Sequence, residues 1–242
     1  MLDFNRTDLA DLPVCVAIND AIERSEPPEE NLRQYLGASS IGSECARRIQ
    51  FDWMVAGVHA SQTRDVFRRG HLFEELTRQH MIRAGFVFAP EERLKFEALG
   101  GFFRGHADGV LVSGPEIEGV GYPCVWEHKG LGQKGWQALN REGLEKHYPA
   151  YFAQVQMYQH FLHLPEHPAV FTAVNANTMA RLHVLVPHDA QRAQGWIERA
   201  GEVIDATRRG ELLPRLTQRR DDFRCKNLCG HVLRCWGDEQ AS

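Results

Sequence analysis

No stretch of this 242-residue chain approaches the apolar length needed to cross a membrane. The opening MLDFNRTDLADLP also lacks the basic segment and apolar core of a secretory leader. These absences argue against a membrane protein and make the cytosol the expected compartment. An excess of positive charge is missing too: the net charge is -4, so any contact with nucleic acid has to come from local patches. In a reducing compartment the six cysteines are not expected to form a disulfide framework, and clustered ones read as ligands of a metal or cluster. Length and composition fit one large globular domain or a core with appendages.

What is present centres on Phe102 to Lys129. Phe102 to Val112 reads as an extended run carrying Asp108, Ser113 to Pro123 as a broad turn rich in glycine and proline, and Pro123 to Lys129 as a further strand. Alternation along that strand puts Glu127 and Lys129 on one face and His128 on the other, and a hairpin brings Asp108 beside Glu127. Two carboxylates and an ammonium on a common face suit a hard divalent cation, a polarised phosphodiester and an attacking water. Gly105, Gly109 and Gly130 flank these residues and would let a backbone or a phosphate approach closely. Leu94 to Leu99 precedes them as another strand.

Around this centre, residues 1–37 form a helical preface, with Leu9, Leu12, Val16 and Ile22 at helical spacing and Cys15 as a small buried residue. Residues 38–210 form the core and 211–242 a basic, cysteine-containing tail. Ser39 or Ser40 is expected to cap a helix bearing Cys45, Ile49 and Trp53. A longer helix runs from about Gln62 to Ala84 and stops at Gly85, with Phe67, Gly70, Glu74 and Met81 inward and Glu75 outward. An inward Glu74 calls for a partner or a metal. Trp136 lies near the substrate path or serves packing. In the helix near Pro149 to His163, Gln154 and Tyr158 share a face. Phe171 to Asn175 and Arg181 to Val186 read as a strand hairpin, and His188 to Arg209 as an amphipathic helix.

The tail holds Cys225, Cys229 and Cys235 within eleven residues, a strong sign of a metal or cluster that still needs a fourth ligand. The end of the core and the tail together hold Arg208, Arg209, Arg215, Arg219, Arg220, Arg224, Lys226 and Arg234, against Glu211, Asp221 and Asp222, a patch able to follow a DNA backbone.

Asp108 followed by Glu127-x-Lys129, with Gly70-x-x-x-Glu74 before it and Gln154-x-x-x-Tyr158 after it, resembles the PD-(D/E)xK nucleases of the RecB-like, QxxxY branch. Ser39-Ser40-Ile41-Gly42 leading to Cys45 and Arg47 resembles the iron-sulfur members, whose isolated first cluster ligand corresponds to Cys45. The tail departs from their C-x2-C-x5-C by one residue, which leaves a structural Zn²⁺ with His231 as the alternative to a 4Fe-4S cluster. The resemblance implies an α/β fold, a central mixed sheet flanked by helices like the restriction-endonuclease core, with the N- and C-terminal segments joined by the cluster. It further implies a DNA exonuclease using Mg²⁺ or Mn²⁺ held by Asp108, Glu127, the His128 carbonyl and Glu74, with Lys129, Gln154 and Tyr158 completing the catalytic set. DNA is the expected partner, alongside a homo-oligomer or a separate helicase, since no helicase motif is visible. Competing readings are a catalytically silent DNA-binding module on the same fold and a zinc-stabilised nucleic-acid adaptor.

Overall fold

A computed structural model of the chain describes residues 8–25, 34–54 and 61–237. The chain begins with α1 (Pro13–Ser25), β1 (Leu36–Gly37), α2 (Ala46–Met54) and α3 (Ser61–Arg83). Five strands follow: β2 (Val87–Phe88), β3 (Lys95–Ala98), β4 (Phe103–His106), β5 (Gly109–Ser113) and β6 (Cys124–Leu131). Then come α4 (Gln133–Glu142), α5 (Leu144–His147), α6 (Pro149–Phe161), β7 (Ala169–Asn175), β8 (Arg181–Val186), α7 (Ala190–Arg208), α8 (Phe223–Leu228) and α9 (Val232–Trp236). Most of the charged linker expected after the first helix lies outside the described residues.

The larger sheet has the order β2-β5-β6-β7-β8, antiparallel except for the parallel β6-β7 pair; the smaller has the order β1-β4-β3. β6 and β7 are central, and every residue of β7 is buried, as expected for a strand covered on both faces. On one face α6 and α7 supply Ala153, Val155, Met157, Ala200 and Val203 to a core that includes Val125 and Phe171. On the other, α3 lays Met81 over Trp126, Leu111 and Val170. Gly85 ends α3 with φ +95°, the left-handed conformation expected at a helix C-terminus.

Four local expectations are corrected. The run from Phe102 to Val112 is two strands in different sheets, β4 and β5, divided at Ala107 and Asp108. The burial pattern gives the reason: β4 alternates as a half-covered strand, whereas Gly109, Val110 and Leu111 are all buried. Ser39 and Ser40 lie in a single tight turn rather than capping α2, and Cys45 precedes that helix. α1 buries no residue; Val14, Val16, Ile18 and Ile22 are exposed, and Cys15 is half-buried. Finally, the glycines beside the acids make room for protein rings: a Cβ at Gly105 would meet Phe96 and Tyr158 at 2.3 and 2.7 Å, and one at Gly109 would meet Phe88 at 2.9 Å.

Candidate active site

The antiparallel register pairs Gly109 with Trp126, which sets Asp108 opposite Glu127. Glu127 is fully buried; its Oε1 accepts from Lys129 Nζ at 2.5 Å, while its Oε2 is buried without a partner. Asp108 Oδ2 accepts the His128 backbone N–H at 2.7 Å and lies 3.8 Å from Lys129 Nζ. In an extended strand the N–H and C=O of one residue point to the same side, so the His128 carbonyl faces this edge as well. The His128 ring points to the opposite face, where Nε2 lies 3.2 Å from Thr77 Oγ1. Burial, with Lys129, His183 and Arg181 nearby, pushes its pKa down to about 3. The ring is thus a neutral packing group, and only the backbone of His128 belongs to the site.

Burial, and then the neighbouring Asp108 carboxylate, raises the Glu127 pKa despite Lys129. Burial alone would lower that of Lys129, but Glu127 and Asp108 outweigh it and hold the ammonium charged. Glu74 comes to the same place from α3. Its carboxyl is pushed up by burial and by Asp108, with His71 Nδ1 3.6 Å away as an opposing influence. Glu75, read as outward, is exposed and bonds Gln79.

From the other side α6 contributes Gln154, whose Nε2 donates to Tyr158 Oη at 2.8 Å; both side chains are buried. Burial and the charge of Glu127 raise the Tyr158 pKa, so the phenol keeps its proton. With the Gln154 amide occupying a lone pair of the oxygen, the hydroxyl hydrogen is available to donate towards the carboxylates. A further residue joins them: Lys129 Nζ lies 5.4 Å from the centroid of the Tyr151 ring, which stacks between Tyr148 and Phe171. Sequence reasoning missed Tyr151, although its place three residues before Gln154 puts it on the same helix face. Trp136 resolves as packing, half-buried on the core with Nε1 donating to the Ala173 carbonyl at 3.3 Å.

The unpartnered Glu127 oxygen and the mutual repulsion of two neighbouring carboxylates are what a divalent cation would relieve. Lys129 supplies the positive charge between them. Among the described residues, no three His, Cys, Asp or Glu side chains stand in the arrangement of a formed metal site.

The four cysteines singled out from the sequence lie near enough to influence one another electrostatically, without standing as a formed metal site among the described residues. Burial and then Asp222, Cys229, Cys45 and Cys235 raise the Cys225 thiol pKa. The tail is fastened to α2 and the loop before it: Arg224 pairs with Glu44 at 3.2 Å, and Leu213 N–H donates to Gln50 Oε1 at 2.7 Å. His231, the alternative zinc ligand, places Nε2 2.8 Å from Asp52 and its ring edge-on to Phe51. The basic patch is largely committed as well. Arg209, Arg219 and Arg224 pair with Glu211, Asp221 and Asp222, Arg208 covers Phe102, and Arg215 lies over Trp236 and donates to the Cys235 carbonyl.

No protein-family model matches this chain, and no curated protein sequence does. Among solved structures, an alkaline exonuclease (LHK-Exo) from Laribacter hongkongensis aligns with a TM-score of 0.51 at 13% identity, over 74% of this chain and 90% of that one. The two share a fold. At this identity the likeness speaks to architecture alone, and it bears out the expected mixed α/β fold with helices flanking the sheet. A second structure of LHK-Exo, in complex with dAMP, aligns with a TM-score of 0.49 at 12% identity over 73% of this chain and 89% of that one. Among the described residues, no helix is long and apolar enough to cross a membrane.

Proposed function

We propose that this chain is a metal-dependent deoxyribonuclease of the PD-(D/E)xK type that hydrolyses phosphodiester bonds at DNA ends. The observation that carries the reading is the convergence of Asp108, Glu127 and Lys129 with Gln154 and Tyr158 at the edge of β6. The fold it shares with an exonuclease supports it. Asp108 and Glu127, with the His128 carbonyl and Glu74, would hold one or two Mg²⁺ or Mn²⁺ ions. Such ions supply a Lewis acid for the phosphate and lower the pKa of the attacking water.

The chain's own groups do the rest. Lys129 places a fixed ammonium where charge gathers on the phosphate oxygens during in-line displacement, which would leave a 5′-phosphate and a 3′-hydroxyl. Tyr158 offers its hydroxyl hydrogen from a dry pocket, and Gln154 fixes the phenol's direction. Water-excluding burial of Glu127 strengthens each of these interactions.

Cys45, Cys225, Cys229 and Cys235 form a second centre in this reading, a 4Fe-4S cluster in preference to zinc. Their shared neighbourhood and the commitment of His231 Nε2 to Asp52 favour an all-cysteine ligand set. Its role is structural, because it ties the start of α2 to the tail.

End-labelled linear single- and double-stranded DNA, beside a closed circle, tests the activity with Mg²⁺ or Mn²⁺. Loss of the linear substrates with wild type, and none with Lys129→Ala, is the expected result. Cleavage retained by that variant would remove the assignment. Visible absorbance with bound iron and sulfide in anaerobically purified protein is expected for the cysteine site, and zinc without iron would reassign it.

A further inference from the structure

On the side of the large sheet away from Gln154 and Tyr158, α3 is the helix that covers β6, and the edge strand β8 lies beyond it, with central β7 between them. The uncovered corner is a bowl of about 510 Å³. One wall is the face of α3 that carries Thr77, Met81 and, just past its end, Ala84; the other is β8, where alternation turns Arg181, His183 and Leu185 to the same side. Val170 of β7 contributes to the lining, and Phe86 and Val120 add to its apolar character.

Both ends of the bowl are bridged. At one, an Arg181 guanidinium nitrogen donates to His80 Nδ1 at 2.6 Å, linking β8 to α3. At the other, the loop through Gly119 meets Leu185, whose Cδ1 lies 2.9 Å from where a glycine Cβ would be. A bridged bowl has no room for a helix or strand running through it. Its volume is that of a small-molecule site, and its apolar lining suits a compact apolar body.

The polar groups set the charge of that occupant. His183 Nδ1 is held by Thr172 Oγ1 at 3.0 Å, and Thr77 by His128. Arg181 bonds a neutral acceptor, and no carboxylate among the described residues forms an ion pair with it, Glu118 of the same bowl included. We infer that this bowl is a binding site for a small amphipathic anion, an apolar body bearing a carboxylate that Arg181 receives. The inference is independent of the nuclease reading, because it concerns the opposite face of β6.

Calorimetric titration of the full chain with 2-naphthoate and with its neutral counterpart 2-naphthamide tests it. Saturable binding of the acid, at least about tenfold tighter than the amide, is expected from a charged hydrogen bond. Ala84→Trp, which fills the bowl, should abolish binding. Arg181→Gln, a change on the surface, should leave the amide unaffected and erase the preference for the acid. No saturable binding, equal affinity for acid and amide, or binding indifferent to Ala84→Trp would overturn the proposal. So would a dimer in light scattering that Ala84→Trp dissociates, since the face would then be covered by a second copy.

Discussion

The carboxylate cluster and the proposed cysteine centre are built in opposite ways. Asp108, Glu127 and Lys129 hang from the middle of a five-stranded sheet, where register and burial fix them without any ligand. The cysteines sit before α2 and around two short helices, all half-buried, with their segment held by ion pairs and single hydrogen bonds. A site mounted on the sheet is preorganised by the fold, whereas one mounted at the periphery depends on what it binds for its order.

If this contrast is right, the two centres separate cleanly under mutation. The largest effect is expected from Lys129→Ala or Asp108→Asn, a loss of about 10³-fold in the turnover of linear DNA. Circular dichroism and the visible absorbance of the cysteine centre should stay unchanged, and loss of absorbance in Lys129→Ala would break the separation. Next comes Cys225→Ser, which should remove the absorbance. A crosslink closing roughly 180 residues contributes on the order of 5 kcal/mol through chain entropy, so its loss should show as a large drop in denaturant midpoint. Turnover at a temperature where the variant is still folded should remain within a few-fold of wild type. Smaller again is Asp52→Ala, which removes the hydrogen bond to His231. It should cost about 1 kcal/mol and increase hydrogen exchange in α8 and α9 before the sheet is affected.

A different kind of effect, spread over several pH units rather than tied to one substitution, is a pH dependence of stability that arises chiefly at the carboxylate centre. Burial, and then the Asp108 carboxylate, push the Glu127 pKa up to about 8 from the ordinary carboxylate value of 4.5. Between those values the native state binds more protons than the unfolded one. This contribution is therefore complete below the ordinary carboxylate range and is lost as pH rises, by up to about 1.4 kcal/mol per pH unit. Denaturant melts of the metal-free chain should show this decline, Glu127→Gln should flatten it, and saturating Mg²⁺ should reverse it. The burial-lowered His128 adds a slope of opposite sign, below pH 6.5.

Much of the carboxylate centre was legible because it depends on short-range periodicity. Glu127 and Lys129 share a face by strand alternation, Gln154 and Tyr158 by helical repeat, and the turn between β5 and β6 announces a hairpin. What escaped depends on partners distant in sequence. The division of Phe102 to Val112 between two sheets follows from the pairing of β4 with β3 and β1, and pairing leaves no mark in a local pattern. The exposed apolar side of α1 shows the same limit, since helical spacing predicts a face without saying what covers it. The tail's arginines read as available for DNA by composition; Glu211, Asp221 and Asp222 stand only two residues from the arginines they pair with, and Glu44, the partner of Arg224 180 residues away, is the one that local sequence could not indicate.

The parallel β6-β7 pair bears on the order in which the chain gains its chemistry. Helices α3 and α6 can form early from local contacts, but the register that seats Glu127 against Phe171 waits for a strand more than forty residues downstream. A partly folded or freshly synthesised chain therefore carries the candidate site residues without their arrangement. On the nuclease reading proposed above, competence would wait for this long-range pairing, so an unfinished copy of the protein would be inactive.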